Sequence, residues 1–265
     1  MRDGQEAQQR ALERVIELVE PAPADPDTDS GYLDLLGSEQ QPAAGLGQAL
    51  MRTRTVPAIY ERWWRPALGR VAKGVGGPSM AAEYRMVRGL LDVGPGDRVL
   101  DVACGPGNFT RELARDVTGG GLAVGIDASE TMLGRAVHDT TATTTGAGVV
   151  GAVGYAHGSA VPLPFRPASF DAACCFAALH LFAEPLRALD EMARVLVPGG
   201  RIAVLTSRRR GIPPLHLADT ALGLVAGMTM FDRDGITAAL EERGFTDVHQ
   251  RVFGLAQLVS ARRFE

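Results

Sequence analysis

The chain predicts an α/β fold, and three observations carry that expectation. Val99 to Asn108 reads VLDVACGPGN, an apolar, β-rich run that stops at the tight backbone turn Gly105-Pro106-Gly107. Phe109 to Val117 follows at once, with Phe109, Leu113, Ala114 and Val117 at the spacing of one helix face. A strand, a glycine-rich turn and a helix in that order aim free backbone N–H groups and a helix N-terminus at a ligand, and glycine keeps a Cβ out of its way. The third observation is length: 265 residues suit one α/β domain with an added element.

Taken in order, residues 1–20 are polar and helix-prone, with Leu12, Val15, Ile16 and Val19 at helical spacing, and read either as a mobile tail or as a docking helix. Pro21, Pro23 and Pro26 among Asp25, Asp27 and Asp29 form an extended acidic linker. Ala49 to Leu68 is helical between breaks at Pro57 and Pro66 and gathers Tyr60 and both tryptophans, Trp63 and Trp64, as an apolar staple or a lid. Gly74 to Pro78 is a flexible connection. Ser79 caps a helix over 80–91, so residues 1–79 form a tail and helical cap, and a core spans 80–265. The second strand is Gly121 to Asp127, with Ser129 capping the helix after it. Thr140 to Gly148 reads as a loop, and 149–156 as the third strand. Ala172 to Ala177 is the fourth strand, followed by an amphipathic helix over 185–196, the turn Val197-Pro198-Gly199-Gly200, and a strand over 201–206. An apolar, mostly helical insertion occupies about 211–230. The last helix, 231–243, starts at an Asp232 cap and ends at Gly244, and strands 248–253 and 255–261 close the chain as a hairpin around Gly254.

The turn excludes two familiar phosphate sites. Thr110 stands where a dinucleotide fingerprint needs its third glycine, and no Gly-Lys-Ser/Thr is present. An acid closing the strand before A-C-G-P-G resembles motif I of the class I S-adenosylmethionine-dependent methyltransferases of the type 11 kind, with Ala103 in place of the first glycine. The resemblance continues through Asp127-Ala128-Ser129 to Met132, then through Gly158-Ser159-Ala160, Leu163-Pro164-Phe165, Ser169-Phe170-Asp171 and Val197-Pro198-Gly199-Gly200. It covers about residues 80–261 and implies a Rossmann-like, seven-stranded, mostly parallel sheet with an antiparallel last strand.

The resemblance also implies a cofactor, S-adenosyl-L-methionine, and a set of residues for it. Asp101 would sit near the methionine part, and Ala103, Cys104, Gly105 and Gly107 would form the turn around it. Asp127, 26 positions after Asp101, would accept both ribose hydroxyls. Ala128 would follow it, and Met132 would pack on the adenine. Ser159 stands where the family carries an aspartate for the adenine amino group; it keeps an acceptor but not the charge. Ala160 would keep its backbone role. Phe176 would lie near the transferred methyl, and Tyr60 would line the pocket from the cap, where an aromatic face beside a sulfonium gains about 1–2 kcal/mol. His180 is the general-base candidate, since an ordinary histidine titrates near neutrality.

Composition narrows the partners. The chain is 46% hydrophobic and 22% charged, with a formal net charge of −4, so the overall balance lacks the basic footprint of a nucleic-acid binder. Cys104, Cys174 and Cys175 form neither a disulfide framework nor a metal pair, and no metal is expected. No apolar run is long enough to span a bilayer, which makes cytoplasmic the expected location. The expected reaction is methyl transfer to a small-molecule acceptor. Arg208, Arg209 and Arg210 read as a solvated loop or as a clamp for an acidic substrate. Gly31 to Leu36 (GYLDLL) resembles the joining segment of rRNA guanine methyltransferases, whose zinc-ribbon cysteines are absent here; an rRNA methyltransferase relative and a non-catalytic cofactor-binding module are the alternatives.

Overall fold

The structure is a computed structural model that describes residues 2–37, 77–144, 152–212 and 215–265. The aromatic segment with Tyr60, Trp63, Trp64 and Arg65 lies outside the described residues. In chain order the elements are α1 (Arg2–Leu18), β1 (Leu33–Asp34), α2 (Met80–Leu91), β2 (Arg98–Val102), α3 (Asn108–Ala114), β3 (Leu122–Asp127), α4 (Glu130–Thr144) and β4 (Ala152–His157). They continue with β5 (Phe170–Phe176), a 3₁₀ turn (Leu179–Leu181), α5 (Pro185–Val195), β6 (Leu196–Ser207), α6 (Leu215–Ala226), α7 (Gly235–Glu242), β7 (Phe245–Phe253) and β8 (Ala256–Arg263).

The strands form one sheet in the order β1-β4-β3-β2-β5-β6-β8-β7. Pairing is parallel from β1 through β6, and β8 runs antiparallel to both β6 and β7. The expected seven strands are all present, and an eighth, β1, is added at the edge. It comes from the GYLDLL segment, where Leu33 pairs with Ala156 and Asp34 with His157. The order reverses at β2, so the crevice beyond the C-terminal ends of β2, β3 and β5 is where an open α/β sheet receives a ligand.

Both faces of the sheet are covered, which is why its central strands read as continuous apolar runs rather than alternating ones. Val15, Leu18, Leu100, Val124, Ile126, Cys175, Leu189, Met192 and Leu240 belong to one buried cluster, on the side of α1, α5 and α7. Val87, Leu91, Phe109, Leu113, Cys174 and Leu205 belong to the other, under α2 and α3. Helix α1 is the docked alternative for residues 1–20. Ala11 and Val15 are buried against β4, where a Cβ on Gly154 would strike Val15, and Arg14 ties the helix to the carbonyls of Gly120 and Gly121.

Three local expectations are corrected. The threonine-rich stretch after Ala136 extends α4 to Thr144 instead of starting a loop at Thr140. Thr140 and Thr141 donate to the carbonyls four residues back, at 2.7 and 2.9 Å, so their hydroxyls are satisfied within the helix. The Val197-Pro198-Gly199-Gly200 turn is an irregularity inside β6: Phe170 pairs with Leu196, then Ala172 with Arg201. The last helix begins at Gly235 with Asp234 rather than Asp232 at the cap position, and Asp232 instead pairs with Arg209.

Candidate active site

The turn after β2 is fastened to the end of β3. Cys104 N–H donates to the Ile126 carbonyl at 3.1 Å, and Gly105 N–H donates to Oδ2 of Asp127 at 2.8 Å. The other carboxylate oxygen accepts from Ser129 N–H at 2.9 Å, and Gly158 N–H donates to the Asp127 carbonyl at 3.0 Å. Asp127 thus joins the turn, the start of α4 and the loop after β4. Burial pushes its carboxyl above the usual range, opposed by the N–H groups of Gly105, Ser129 and Ala128 and by the nearby His157. Each carboxylate oxygen has two lone pairs, so an acceptor for each of two ligand hydroxyls is left.

The turn itself is held in the left-handed region, at φ 57° for Ala103, 56° for Gly105 and 70° for Gly107. A Cβ on Gly105 would meet nothing within 4 Å and would instead enter the open space that a ligand approaching this backbone must fill. Gly107 is constrained from below. Its missing side chain leaves room for Tyr155, whose hydroxyl meets Thr140 Oγ1 at 2.9 Å. Arg111 closes the outer side, donating to the Pro106 carbonyl at 2.8 Å and to Asn108 Oδ1 at 2.6 Å.

Asp101 is turned into the fold. It is 1% exposed, accepts from Thr110 Oγ1 at 2.7 Å, and has the Cys174 thiol at 3.6 Å. Its oxygens brace the first turn of α3. Cys104 is buried, and burial followed by the fields of Asp127 and Asp101 holds its thiol well above its usual range, so it stays protonated and unreactive. Met132 is buried on the first turn of α4, with its N–H toward Ser129 Oγ at 3.4 Å, and Ala128 is half-buried beside it. Ser159 spends its hydroxyl locally: it donates to the Val161 carbonyl at 2.7 Å and accepts from Val161 N–H at 3.0 Å. Ala160 is half-buried against the core. A groove of about 440 Å³ opens beside Ser159, lined by Leu35, Leu36, Pro162, Leu163 and Phe165 among others, but it includes neither Gly105 nor Asp127.

Phe176, at the end of β5, packs with Tyr84 of α2 and Phe109 of α3, with ring centroids 5.1–5.4 Å apart. His180 lies just beyond, on the 3₁₀ turn. Its Nδ1 is 3.4 Å from Thr206 Oγ1, and its carbonyl accepts from Thr229 N–H at 2.8 Å. Burial pushes its imidazole down to about 4, so it is neutral at neutral pH but a weaker base than the near-neutral histidine the sequence led one to expect. Arg208, Arg209 and Arg210 are committed to the protein: Arg208 to the Gly254 carbonyl, Arg209 to Asp232, and Arg210 to buried Asp219 of α6. Arg210 fastens the insertion to the end of β6.

Sequence reasoning did not single out His157 and Asp34. His157 Nδ1 meets Asp34 Oδ1 at 2.8 Å across 123 residues, and His157 also pairs in register with Asp127. The available signal was a histidine closing an apolar strand immediately before Gly158-Ser159-Ala160. Among the described residues no group of three or more His, Cys, Asp or Glu side chains is placed to hold a metal ion, and no helix is long and apolar enough to cross a membrane.

Residues 100–204 match the family model of a methyltransferase domain. An uncharacterised chloroplastic methyltransferase of Arabidopsis thaliana is 35% identical over 156 residues, covering 57% of this chain and 41% of that protein. A demethylmenaquinone methyltransferase of Bacillus cereus is 35% identical over 116 residues, covering 44% and 47%. The chain thus spans less than half the length of these curated relatives. A solved SAM-dependent methyltransferase of Aquifex aeolicus has the same fold, with a TM-score of 0.56 at 19% identity, over 78% of this chain and 97% of that one.

Proposed function

We propose that this chain, whose residues 100–204 match the model of a methyltransferase domain, is a class I S-adenosylmethionine-dependent methyltransferase that moves a methyl group from that donor to a small-molecule acceptor. One observation carries the reading. The left-handed turn Ala103–Gly107 is locked by the Gly105 N–H to the strand-end carboxylate of Asp127, with open space over Gly105. That is a backbone cradle beside a two-point acceptor, the two features an adenosyl ribose and its amino-acid tail require.

The donor supplies an electrophilic methyl on a sulfonium. The chain's own residues do the rest. Asp127 accepts the ribose hydroxyls, and the turn from Ala103 to Gly107 fixes the approach of the backbone. Met132 and Ala160 offer apolar surface on the adenine side. Asp101 acts from beneath the turn by holding Thr110. Phe176, Tyr84 and Phe109 give the far side a rigid aromatic floor, and alignment of this kind supplies roughly 7–11 kcal/mol in the best intramolecular cases. Where the acceptor must lose a proton, neutral His180 receives it, and Thr206 sets its ring.

A small acceptor is favoured over RNA on two grounds. The arginine run is consumed by Asp219, Asp232 and a carbonyl, leaving no clamp for a phosphate backbone in that loop. The GYLDLL segment is used as an edge strand. The relative named for demethylmenaquinone adds support for an organic acceptor. The test is transfer of an isotopically heavy methyl from the donor, read by mass spectrometry, with phenolic and quinol acceptors in one set and rRNA in another. Label on a small acceptor supports the reading. Label on RNA alone replaces it with the rRNA alternative, and no label on either favours a binding module.

A further inference from the structure

Three adjacent parallel strands end in a row of ionisable side chains: Asp127 on β3, His157 on β4 and Asp34 on β1. The register pairs Asp127 with His157 and His157 with Asp34. Neighbouring strands lie about 4.8 Å apart, and residues in register point to the same face, so the imidazole stands between two carboxylates. Its place is fixed. His157 is 5% exposed, its Nδ1 bonds to Asp34 Oδ1 at 2.8 Å, and Tyr32 packs edge-on against its ring at 6.0 Å. Asp34 is fixed in turn by the N–H groups of Leu36 and Gly37, at 3.0 and 2.9 Å. Burial raises the Asp34 carboxyl, but its bond to His157 and those two N–H groups outweigh burial and hold it below the usual range.

From these contacts we infer that His157 is a positioning residue for Asp127: anchored by Asp34, its ring stabilises the Asp127 carboxylate in the ionised form that a pair of ligand hydroxyls needs. The other charges around the row are mostly acidic. Asp27 lies across the backbone bridge to Asp34, Tyr32 and Glu130 face the row from the preceding loop and from α4, and Asp101 and the Cys104 thiol lie on the β2 side. Arg111, the cation of α3, is engaged with Pro106, Asn108 and Asp139. The His157 ring therefore opposes the burial that works against the Asp127 carboxylate, from the neighbouring strand position in register with it. The N-terminal segment gains a role beyond packing, because β1 carries the anchor. The relevance to the methyl donor rests on the function proposed above, but the coupling between His157 and Asp127 does not.

The test is a carbon-detected NMR titration of the Asp127 carboxyl in the protein without ligand, in wild type, His157→Gln and Asp34→Asn. His157→Gln keeps a donor for Asp34 and removes the charge. Its Asp127 midpoint is expected to rise by about one pH unit, the order expected for a unit charge at this spacing in a partly buried site. Asp34→Asn removes a neighbouring anion and is expected to leave the midpoint unchanged or lower it. An unchanged midpoint in His157→Gln overturns the inference. So does an equal rise in both variants, which would mean the pair only holds the edge strand in place. S-adenosylhomocysteine affinity across pH is the second reading. The acid limb of binding should move with the midpoint, costing about tenfold on that limb. If the midpoint moves while wild type binds no S-adenosylhomocysteine, the donor reading falls and the coupling stands.

Discussion

The Tyr155 side chain occupies the space directly beneath Gly107, so a Cβ on that glycine would sit 2.8 Å from Tyr155 Cζ and closer still to the hydroxyl. Gly107 also holds φ at 70°, which any other residue adopts at a cost of about 1–2 kcal/mol. Gly107→Ala therefore combines strain with a clash, and a loss of about 2–4 kcal/mol in urea unfolding is expected. Pairing it with Tyr155→Phe, which removes the hydroxyl but keeps the ring, should recover part of that loss; no recovery would place the cost in the backbone and the remaining ring contact.

Ala103 carries strain of the same origin without a clash. At φ 57° its Cβ is disfavoured, whereas glycine is free there. Ala103→Gly is expected to stabilise the protein by up to about 1 kcal/mol, because relief of roughly 1–2 kcal/mol outweighs the roughly 0.5–1 kcal/mol of extra chain entropy in the unfolded state. The check is the denaturation midpoint at constant slope. A lower midpoint would mean that the methyl of Ala103 makes a contact worth more than its strain.

His180 makes stability depend on acid pH. Its folded-state pKa, about 4, lies below the ordinary 6.5, so the unfolded chain takes up its proton first as pH falls. The stabilisation is complete above pH 6.5 and is lost as pH falls toward 4, by at most about 3 kcal/mol since the ring keeps some exposure. His180→Gln should lose less stability than wild type between pH 7 and pH 4.5. It should also lower turnover while leaving donor affinity intact. Full activity in this variant would assign His180 to packing alone.

Helix α6 hangs on one buried carboxylate. Asp219 accepts from the Arg210 backbone N–H at 2.8 Å and from its guanidinium at 2.6 and 3.0 Å. Asp219→Ala is expected to raise amide hydrogen exchange severalfold across 215–226 while leaving β2 and β5 unchanged. Exchange that stays slow in α6 would show that the apolar contacts of the insertion hold it without the pair.

The N-terminal helix is a part of the fold that simple truncation can probe. Val15 is fully buried against Gly154. Val15→Ala removes two methyl groups from that contact, and a loss of about 2 kcal/mol is expected. A loss near zero would mean that α1 rests on the sheet without stabilising it.

How much of this was legible in the sequence depended on range. The strand at 98–102, the turn and the helix after it lie next to one another, and their apolar spacing and glycines mark them locally. Strand β1 has two residues and therefore no periodicity, so only its pairing with β4 reveals it. The end of α4 was hidden because threonine has low helix propensity, and the back-bonds that retain it depend on the helix already being there. At the proposed site, Asp127 stood out in the sequence because it closes a strand at a set distance from the turn. His157 and Asp34 could not be paired, because that contact exists only once α1 and β1 have docked. Asp101 read as a ligand-side acid, yet Thr110 and Cys174 take it into the core, a choice made by side-chain packing rather than by spacing.

The most direct test is a calorimetric titration of S-adenosylhomocysteine into the wild-type protein and Asp127→Ala at pH 7.5. Binding by wild type and a loss of at least about a hundredfold in the variant are expected, since two charge-assisted hydrogen bonds worth about 1.5 kcal/mol or more each disappear together. Equal affinities would contradict the placement of the ribose at Asp127, and no binding by wild type would contradict the donor site itself.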